Sequence, residues 1–235
     1  IKEKNHFEQA LLNSISHDFR TPLVTISGVL DSLLLEGEEY DLQQKQGMIK
    51  IASEEADRLN RFVSSLLDMT KLEAGALTPR FMLCEVEEII GCAVAAIKPR
   101  LGTNNIAIKV EEYLPPVSAD LVLLTQALVN ILDNALKHSP SSADIGISAR
   151  LQGTRVLIEL TDSGPGVPYG EEKRIFDKFH QIKVPETTGG TGLGLSIAKG
   201  IIEAHNGIII ASNRPQGGLM VEVSLPAELT DSQKV

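Results

Sequence analysis

The segment His17-Asp18-Phe19-Arg20-Thr21-Pro22 brings an imidazole, a carboxylate and a hydroxyl within little more than one helical turn. Asp18 can accept a proton from one ring nitrogen and leave the other as a nucleophile. Thr21 lies four residues on, so its hydroxyl shares the histidine's face. Pro22 removes a backbone donor and crowds the carbonyl one turn back, which predicts a bend beside the imidazole. The plain alternative for the cluster is a kinked dimer helix with an exposed histidine.

A second set of polar residues interrupts an apolar helical stretch. Gln126, Asn130 and Asn134 are four apart and Lys137 follows by three, so all share one face. Amides on a buried face need partners. A hydrated Mg²⁺ bridging phosphates would accept an Asn oxygen, and Lys137 would meet the phosphates themselves. An amide ladder packed on a loop would satisfy the same pattern. Asp162-Ser163-Gly164-Pro165-Gly166 follows a strand pattern and suits a flat purine. There the carboxylate would accept from an exocyclic amine while glycines allow close backbone approach; on its own it is also an ordinary Asp-Gly turn.

Gly189-Gly190-Thr191-Gly192-Leu193-Gly194-Leu195 opens a further helix pattern. Its glycines leave backbone N–H groups open at a helix N-terminus, where phosphate is attracted. No Lys-Ser/Thr follows, so it is not a Walker loop, and it lacks the glycine spacing and βαβ setting of a dinucleotide fingerprint. Phe176 and Phe179, three apart, precede a polar stretch that reads as a lid anchored by these two rings, or as a surface helix with two core Phe.

The elements that must position these residues fall into two groups. Residues 1–76 contain one proline and read as two long helices, broken at Gly37. Asp41 with Gln44 makes an Asp-led capping box for the second helix. Ala52, Ala56, Leu59, Val63, Leu66 and Thr70 form its seam, and Gly75 gives a C-cap. Two such helices cannot bury their stripes alone, and a four-helix bundle in a dimer is the simplest remedy; packing onto the rest of the chain is the alternative. After Gly75 the pattern turns to strands at 106–110, 145–149, 156–161, 208–212 and 219–225, with helices at 86–97, 121–137 and 195–205. One sheet face covered by helices follows, with a frayed tail after about Ala227.

Composition narrows the function classes. The chain has 235 residues and a formal net charge of -9. With no run of Lys/Arg, it is not expected to bind nucleic acid. The longest apolar-or-Gly run, 89–97, is far short of the roughly 20 residues of a membrane span. Cys84 and Cys92 have no His nearby and are expected to be reduced, buried thiols rather than a zinc site. The start, Ile1-Lys2-Glu3-Lys4, lacks Met, and the chain is expected to be a fragment.

Taken in order, His17-Asp18-x-x-Thr21-Pro22, Asn130-x-x-x-Asn134-x-x-Lys137, Asp162-x-Gly164-x-Gly166, Phe176-x-x-Phe179 and Gly190-x-Gly192-x-Gly194 resemble the H, N, G1, F and G2 boxes of sensor histidine kinases of two-component systems. The resemblance runs from residue 8 to about 226. The sequence 14–23 and the segment Asn213-Arg214-Pro215-Gln216-Gly217-Gly218 are similar, more narrowly, to the potassium-responsive KdpD kinases.

That resemblance implies an α+β multidomain fold. Residues 1–76 would be a helical-hairpin dimerisation and phosphotransfer domain, a four-helix bundle in the dimer. Residues 77–228 would be an α/β sandwich of the Bergerat ATP-binding type, and 229–235 a tail. It implies ATP and Mg²⁺ as cofactors. His17 would be autophosphorylated, Asp18 would assist proton transfer, and Thr21 would position water for dephosphorylating the partner regulator. Asn134 would hold Mg²⁺ with Asn130 nearby, Lys137 would meet phosphate and Asp162 adenine. His138, Gly164, Gly166, Phe179, Gly190, Thr191, Gly192, Leu193, Gly194 and Leu195 would complete the ATP-binding set.

The implied partners are a second copy, through residues 1–76, and the receiver domain of a response regulator. No membrane contact is expected of the fragment, which would be cytoplasmic, with the full-length protein anchored in the inner membrane. Where related ATPases carry a water-activating Glu, this chain has Asn130, which cannot act as a base, so phosphotransfer is favoured over ATP hydrolysis. His138 stands where Tyr or Phe is frequent. Gln181 stands near a usual phosphate-facing Arg, for which Lys178 or Lys183 would substitute. A degenerate nucleotide-binding scaffold that modulates another kinase is the rival reading.

Overall fold

The computed structural model describes residues 2–35, 39–182 and 192–229, with side chains from Phe19 onward. Contacts divide the chain into two compact units, Ile1–Asp68 and Met69–Val235. Among the described residues no helix is long and apolar enough to cross a membrane.

The first unit is built from α1 (Lys2–Leu35) and most of α2 (Leu42–Glu73). α1 continues as helix through Pro22, whose side chain is buried. The capping box forms as its residue types require: Asp41 Oδ1 accepts the Gln44 N–H at 2.7 Å, and Gln44 Oε1 accepts the Asp41 N–H at 2.9 Å. Phe19 and Phe62 join the two helices edge to face, with ring centroids 4.8 Å apart. The Ser32 and Tyr40 hydroxyls meet at 2.8 Å across the turn. The break expected at Gly37 lies outside the described residues.

Along α2, Phe62 and Met69 are buried, Ala52, Ala56, Leu59 and Leu66 of the expected seam are half-buried, and Val63 and Thr70 are exposed in a single copy, on a seam whose expected cover is a second copy. The helix ends in a Schellman motif: Gly75 sits at φ 61°, its N–H donates to Leu72 O at 3.1 Å, and the Ala76 N–H donates to Lys71 O at 2.9 Å.

The second unit holds a five-stranded mixed sheet. Its strands are β2 (Asn105–Val110), β4 (Asp144–Gln152), β5 (Arg155–Thr161), β6 (Ile208–Asn213) and β7 (Leu219–Pro226), in the order β2-β4-β5-β7-β6. Only β2 and β4 run parallel; the other pairs are antiparallel. A short antiparallel pair, β1 (Met82–Cys84) with β3 (Val117–Ala119), stands apart and was not foreseen. Three residues are too few to show an alternation. The β4–β5 hairpin closes through Gly153-Thr154, with Gly153 at φ 62° as a tight hairpin turn requires.

Alternation decides the two sheet faces. Ala149, Ile158, Val223 and Ile209 form one cross-strand row and are all buried. The neighbouring row, Ser148, Glu159, Glu222 and Ile210, is less covered, and Arg150 bridges Glu159 and Glu222 on that side. Helices α3 (Val86–Ile97), α4 (Leu121–His138) and α5 (Gly194–Ala204) cover the apolar face through Ile89, Ile97, Leu128, Leu132, Ile197 and Ile201. The core is aliphatic, as a chain without Trp requires.

One expectation changes here. Cys84 is buried, but Cys92 is exposed on α3. The domain's last bonds are from the Ala227 N–H to Thr154 O at 3.0 Å and from the Glu228 N–H to Pro116 O at 2.8 Å, and residues 230–235 of the expected tail lie outside the described residues. The last turn of α2 also belongs to this unit. Leu72 lies so close to α5 that a Cβ on Gly200 would come within 2.9 Å of it.

Candidate active site

α4 carries the polar strip, and its start is firmly set. Asp120 is the N-cap and accepts from the Val122 and Leu123 N–H groups, each at 3.1 Å. Its other oxygen accepts the Arg80 N–H at 2.9 Å. Burial raises the Asp120 carboxyl, but these three N–H donors and the nearby His205 outweigh that, so its pKa lies below the usual value.

On the strip, Asn130 is the informative residue. Its amide nitrogen is buried and has no hydrogen-bond partner among the described residues. A buried amide left unpartnered costs about 1–3 kcal/mol, so a ligand able to pair with it is favoured there. A side-chain amide offers nitrogen to a phosphate oxygen or oxygen to a cation. Asn134 lies one turn on, half-buried, and Lys137 is exposed beyond it at the helix end. These residue types suit a phosphate chain carrying Mg²⁺.

The strip is met by the turn after β5. Asp162 is buried at the strand end, and its Oδ1 accepts the Gly164 N–H at 2.8 Å and the Leu219 N–H at 3.0 Å. Gly164 touches the end of α4: a Cβ there would lie 2.6 Å from the His138 carbonyl oxygen. Only glycine allows that approach. His138 beside it has a pKa below the ordinary 6.5, first through burial and then through Lys137, with Asp162 opposing. Gly166, at φ 73°, packs against the Asn213 side chain.

The third wall joins the phenylalanine and glycine segments. Phe176 is buried in a 3₁₀ turn, Arg174–Phe176, while Phe179 is half-buried, and most of the expected lid lies outside the described residues. Phe179 adopts φ 60° and its N–H donates to Gly192 O at 2.9 Å. Gly192, at φ 66°, leaves no room for a Cβ, which would fall 2.7 Å from the Phe179 carbonyl carbon. Leu193 is the N-cap of α5 and supplies no side-chain cap. The N–H groups of Gly194, Leu195 and Ser196 precede the first i→i−4 bond of α5, from Ile197 N–H to Leu193 O, and a helix start of this kind stabilises an anion. Gly194 lies against Asn130, its ideal Cβ 3.9 Å from the Asn130 Cβ and carbonyl oxygen, so this helix start and the orphaned amide are neighbours.

Asn130, His138, Asp162, Gly164, Gly166, Phe179, Gly192, Leu193, Gly194 and Leu195 thus lie on connected elements of one unit. The backbone of His17 and Asp18 is in α1 of the other unit; their side chains lie outside the described residues, as do Lys183, Gly190 and Thr191. Thr21 is exposed, and its carbonyl accepts the Thr25 hydroxyl at 3.2 Å. Lys178, a candidate for the phosphate, is engaged by Glu73 at 2.7 Å.

Two supporting residues were not singled out from sequence for a role. His205, 2% exposed, ties α5 to the cap of α4. Arg214 Nη1 donates to the Asp162 carbonyl at 2.6 Å. His205 looks like any helix-end histidine in sequence, though it is one of only five histidines in the chain.

Comparison with known proteins places this architecture. The His Kinase A (phospho-acceptor) domain matches residues 8–75, and the histidine kinase-, DNA gyrase B- and HSP90-like ATPase domain matches residues 119–229. The sensor protein KdpD of Escherichia coli K12 is 34% identical over 230 residues, covering 96% of this chain and 25% of that protein. The chain spans about a quarter of the length of the curated relatives of this kind that it matches. Full-length ShkA, solved in complex with AMPPNP, aligns with a TM-score of 0.67 at 28% identity, covering 94% of this chain and 46% of that one. ThkA, solved in complex with the response regulator TrrA, has the same fold, with a TM-score of 0.73 at 22% identity over 96% of this chain and 64% of that one. A phospho-acceptor helical domain followed on one chain by an ATPase domain of this type is the architecture of the sensor histidine kinases, and the chain belongs to that family, on its KdpD-like side.

Proposed function

We propose that this chain transfers the γ-phosphoryl group of ATP to His17 and then to an aspartate of a response regulator. The observation that carries the reading is the buried Asn130 amide nitrogen, unpartnered among the described residues, near the start of α5, with the Asp162 carboxylate on the adjoining turn. Base, phosphate and cation each have a recipient of the right chemistry there. Asp162 accepts from the adenine amine. Lys137, the Asn130 amide nitrogen and the α5 N–H groups take the phosphate oxygens, and Asn134, with the Asn130 amide oxygen near it, would hold Mg²⁺. The bound Mg²⁺ supplies charge neutralisation on the phosphates. The protein's part is mostly positioning and charge.

Phosphotransfer breaks the bond between the γ-phosphorus and the bridging oxygen and forms a nitrogen–phosphorus bond at His17, releasing ADP. Asp18 orients the imidazole and receives its proton. The full reading includes a second copy joined through residues 1–76. Leu23, Val24 and Leu30 on α1, with Ile49 and Ile51 on α2, are exposed apolar side chains that such a partner would cover. The response regulator follows from family membership and from ThkA, which was solved with its regulator TrrA. Thr21, exposed one turn past His17, would orient water for regulator dephosphorylation in this reading.

Incubation with γ-labelled ATP and Mg²⁺ tests the reading. Label that survives alkali and is lost in acid is expected. Acid-stable label would put the phosphate on a hydroxyl and contradict it, and nucleotide binding without any label would favour the scaffold reading.

A further inference from the structure

The segment Asn213-Arg214-Pro215-Gln216-Gly217-Gly218 marks a likeness to one kinase group, but its sequence suggests no task. In the fold it is the β6–β7 turn, and it grips the loop that begins at Asp162. Asn213 pairs with Val167 through both amide atoms: Oδ1 accepts the Val167 N–H at 2.8 Å, and Nδ2 donates to Val167 O at 2.7 Å. Arg214 Nη1 donates to Asp162 O at 2.6 Å. Gly218, buried at φ 90°, would overlap the same Asp162 carbonyl if it carried a Cβ.

The arrangement at Asp162 departs from a regular ladder. Thr161 pairs with Met220, so Asp162 faces Leu219 in the next position. The Asp162 N–H donates to Leu219 O at 3.0 Å, as the antiparallel pattern requires. The return bond is exchanged: the Leu219 N–H donates to the carboxylate Oδ1 at 3.0 Å instead of to the Asp162 main-chain oxygen. That displaced oxygen is the one Arg214 holds. Both hydrogen bonds that the described residues make to the carboxylate fall on Oδ1, so Oδ2 is the oxygen an incoming donor can reach.

We infer that Arg214 is a positioning residue for purine recognition, acting through Asp162, with Asn213 bracing the far side of the same loop. Without the guanidinium, the main-chain carbonyl regains its ladder partner, Leu219 N–H. The carboxylate then loses one of the two bonds that fix its plane. This rests on the reading of Asp162 as acceptor of the adenine amine.

The test compares the dissociation constants of ATP and of purine riboside triphosphate, which lacks the 6-amino group, by calorimetric titration of the chain. Wild type is expected to prefer ATP by about tenfold, the worth of one hydrogen bond to a charged acceptor. Arg214→Ala is expected to reduce that preference to about twofold or less, with purine riboside triphosphate affinity unchanged. Arg214→Lys, which keeps a cationic donor, is expected to recover part of the preference. A wild type that does not distinguish the two nucleotides overturns the Asp162 reading, and the brace with it. A wild type that distinguishes them, with the ratio kept in Arg214→Ala, overturns the brace alone. If Arg214→Ala does not fold, Asn213→Ala and Arg214→Gln read the same ratio; failure of all three to fold makes Arg214 a general prop of the sheet and overturns the proposal.

Discussion

His205 Nε2 accepts the backbone N–H of Asp120 at 3.0 Å, while its Nδ1–H donates to the Ile201 carbonyl at 2.7 Å. Both bonds together fix the ring tautomer and tie the end of α5 to the cap of α4. Those are the helices whose other parts carry the glycine turn and the amide strip. Phe81 lies edge-on to the ring, with centroids 5.4 Å apart. His205→Ala leaves the Asp120 N–H without its partner and opens a cavity. A loss of about 2–3 kcal/mol is expected from urea unfolding. His205→Gln, which has one donor and one acceptor, is expected to recover part of it. An unchanged midpoint in His205→Ala would show that the tie carries no load.

Asn130 predicts opposite effects on stability and binding. Its amide nitrogen is buried without a partner among the described residues, so removing it relieves a desolvation cost. Asn130→Ala is expected to match wild type in unfolding free energy or exceed it by up to about 1 kcal/mol, while ATP affinity falls by at least about tenfold. A variant that loses stability and keeps its affinity would make Asn130 a core residue rather than a ligand.

Gly192 tests the joint between the phenylalanine and glycine segments. Alanine there must adopt φ 66° and force the Phe179 backbone away. The left-handed conformation alone costs roughly 1–2 kcal/mol. Gly192→Ala is expected to lower stability by more than that amount, because the Phe179 backbone must also shift, and ATP affinity along with it. Gly153→Ala, strained by a similar φ of 62° at a hairpin turn with nothing near its Cβ position, supplies the control. It should lose stability without losing affinity.

His138 gives the chain a pH dependence of defined sign. Its folded-state pKa lies below the ordinary 6.5, so the unfolded chain binds the proton more readily. The stability of the neutral form is intact above that value. It declines as the pH falls through 6.5 toward the lower folded-state pKa, and levels off below that. His138→Phe is expected to remove this part of the decline. Unfolding free energies measured in steps from pH 7.5 to pH 5 should therefore drop more steeply for wild type than for the variant. Parallel curves would contradict the assignment.

What the sequence makes legible follows from how local each signal is. The capping box at Asp41 and Gln44, the Gly75 cap and the five sheet strands rest on nearby residues, and they form within a few positions of where the patterns place them. α3 spans the expected 86–97. The β1–β3 pair has no such signal, because each strand is three residues long and finds its partner more than thirty residues away. On α2 the residues buried within a single copy are the bulky Phe62 and Met69, which heptad spacing alone does not single out. At the site, glycines and amides announce the turn and strip that bear them. The residues holding that site, His205 and Arg214, act on Asp120 and Asp162 at separations of 85 and 52 residues. No local pattern reveals that kind of support.

The most direct test of the account is the location of the phosphate. Wild type and His17→Gln are incubated with ATP and Mg²⁺ at neutral pH, and the modified residue is mapped by mass spectrometry without an acid step. ATP affinity is measured on both. The account predicts phosphate on His17 in wild type and none on His17→Gln, with equal ATP affinity in the two. Phosphate on the variant, or on any other residue of the wild type in place of His17, would contradict it.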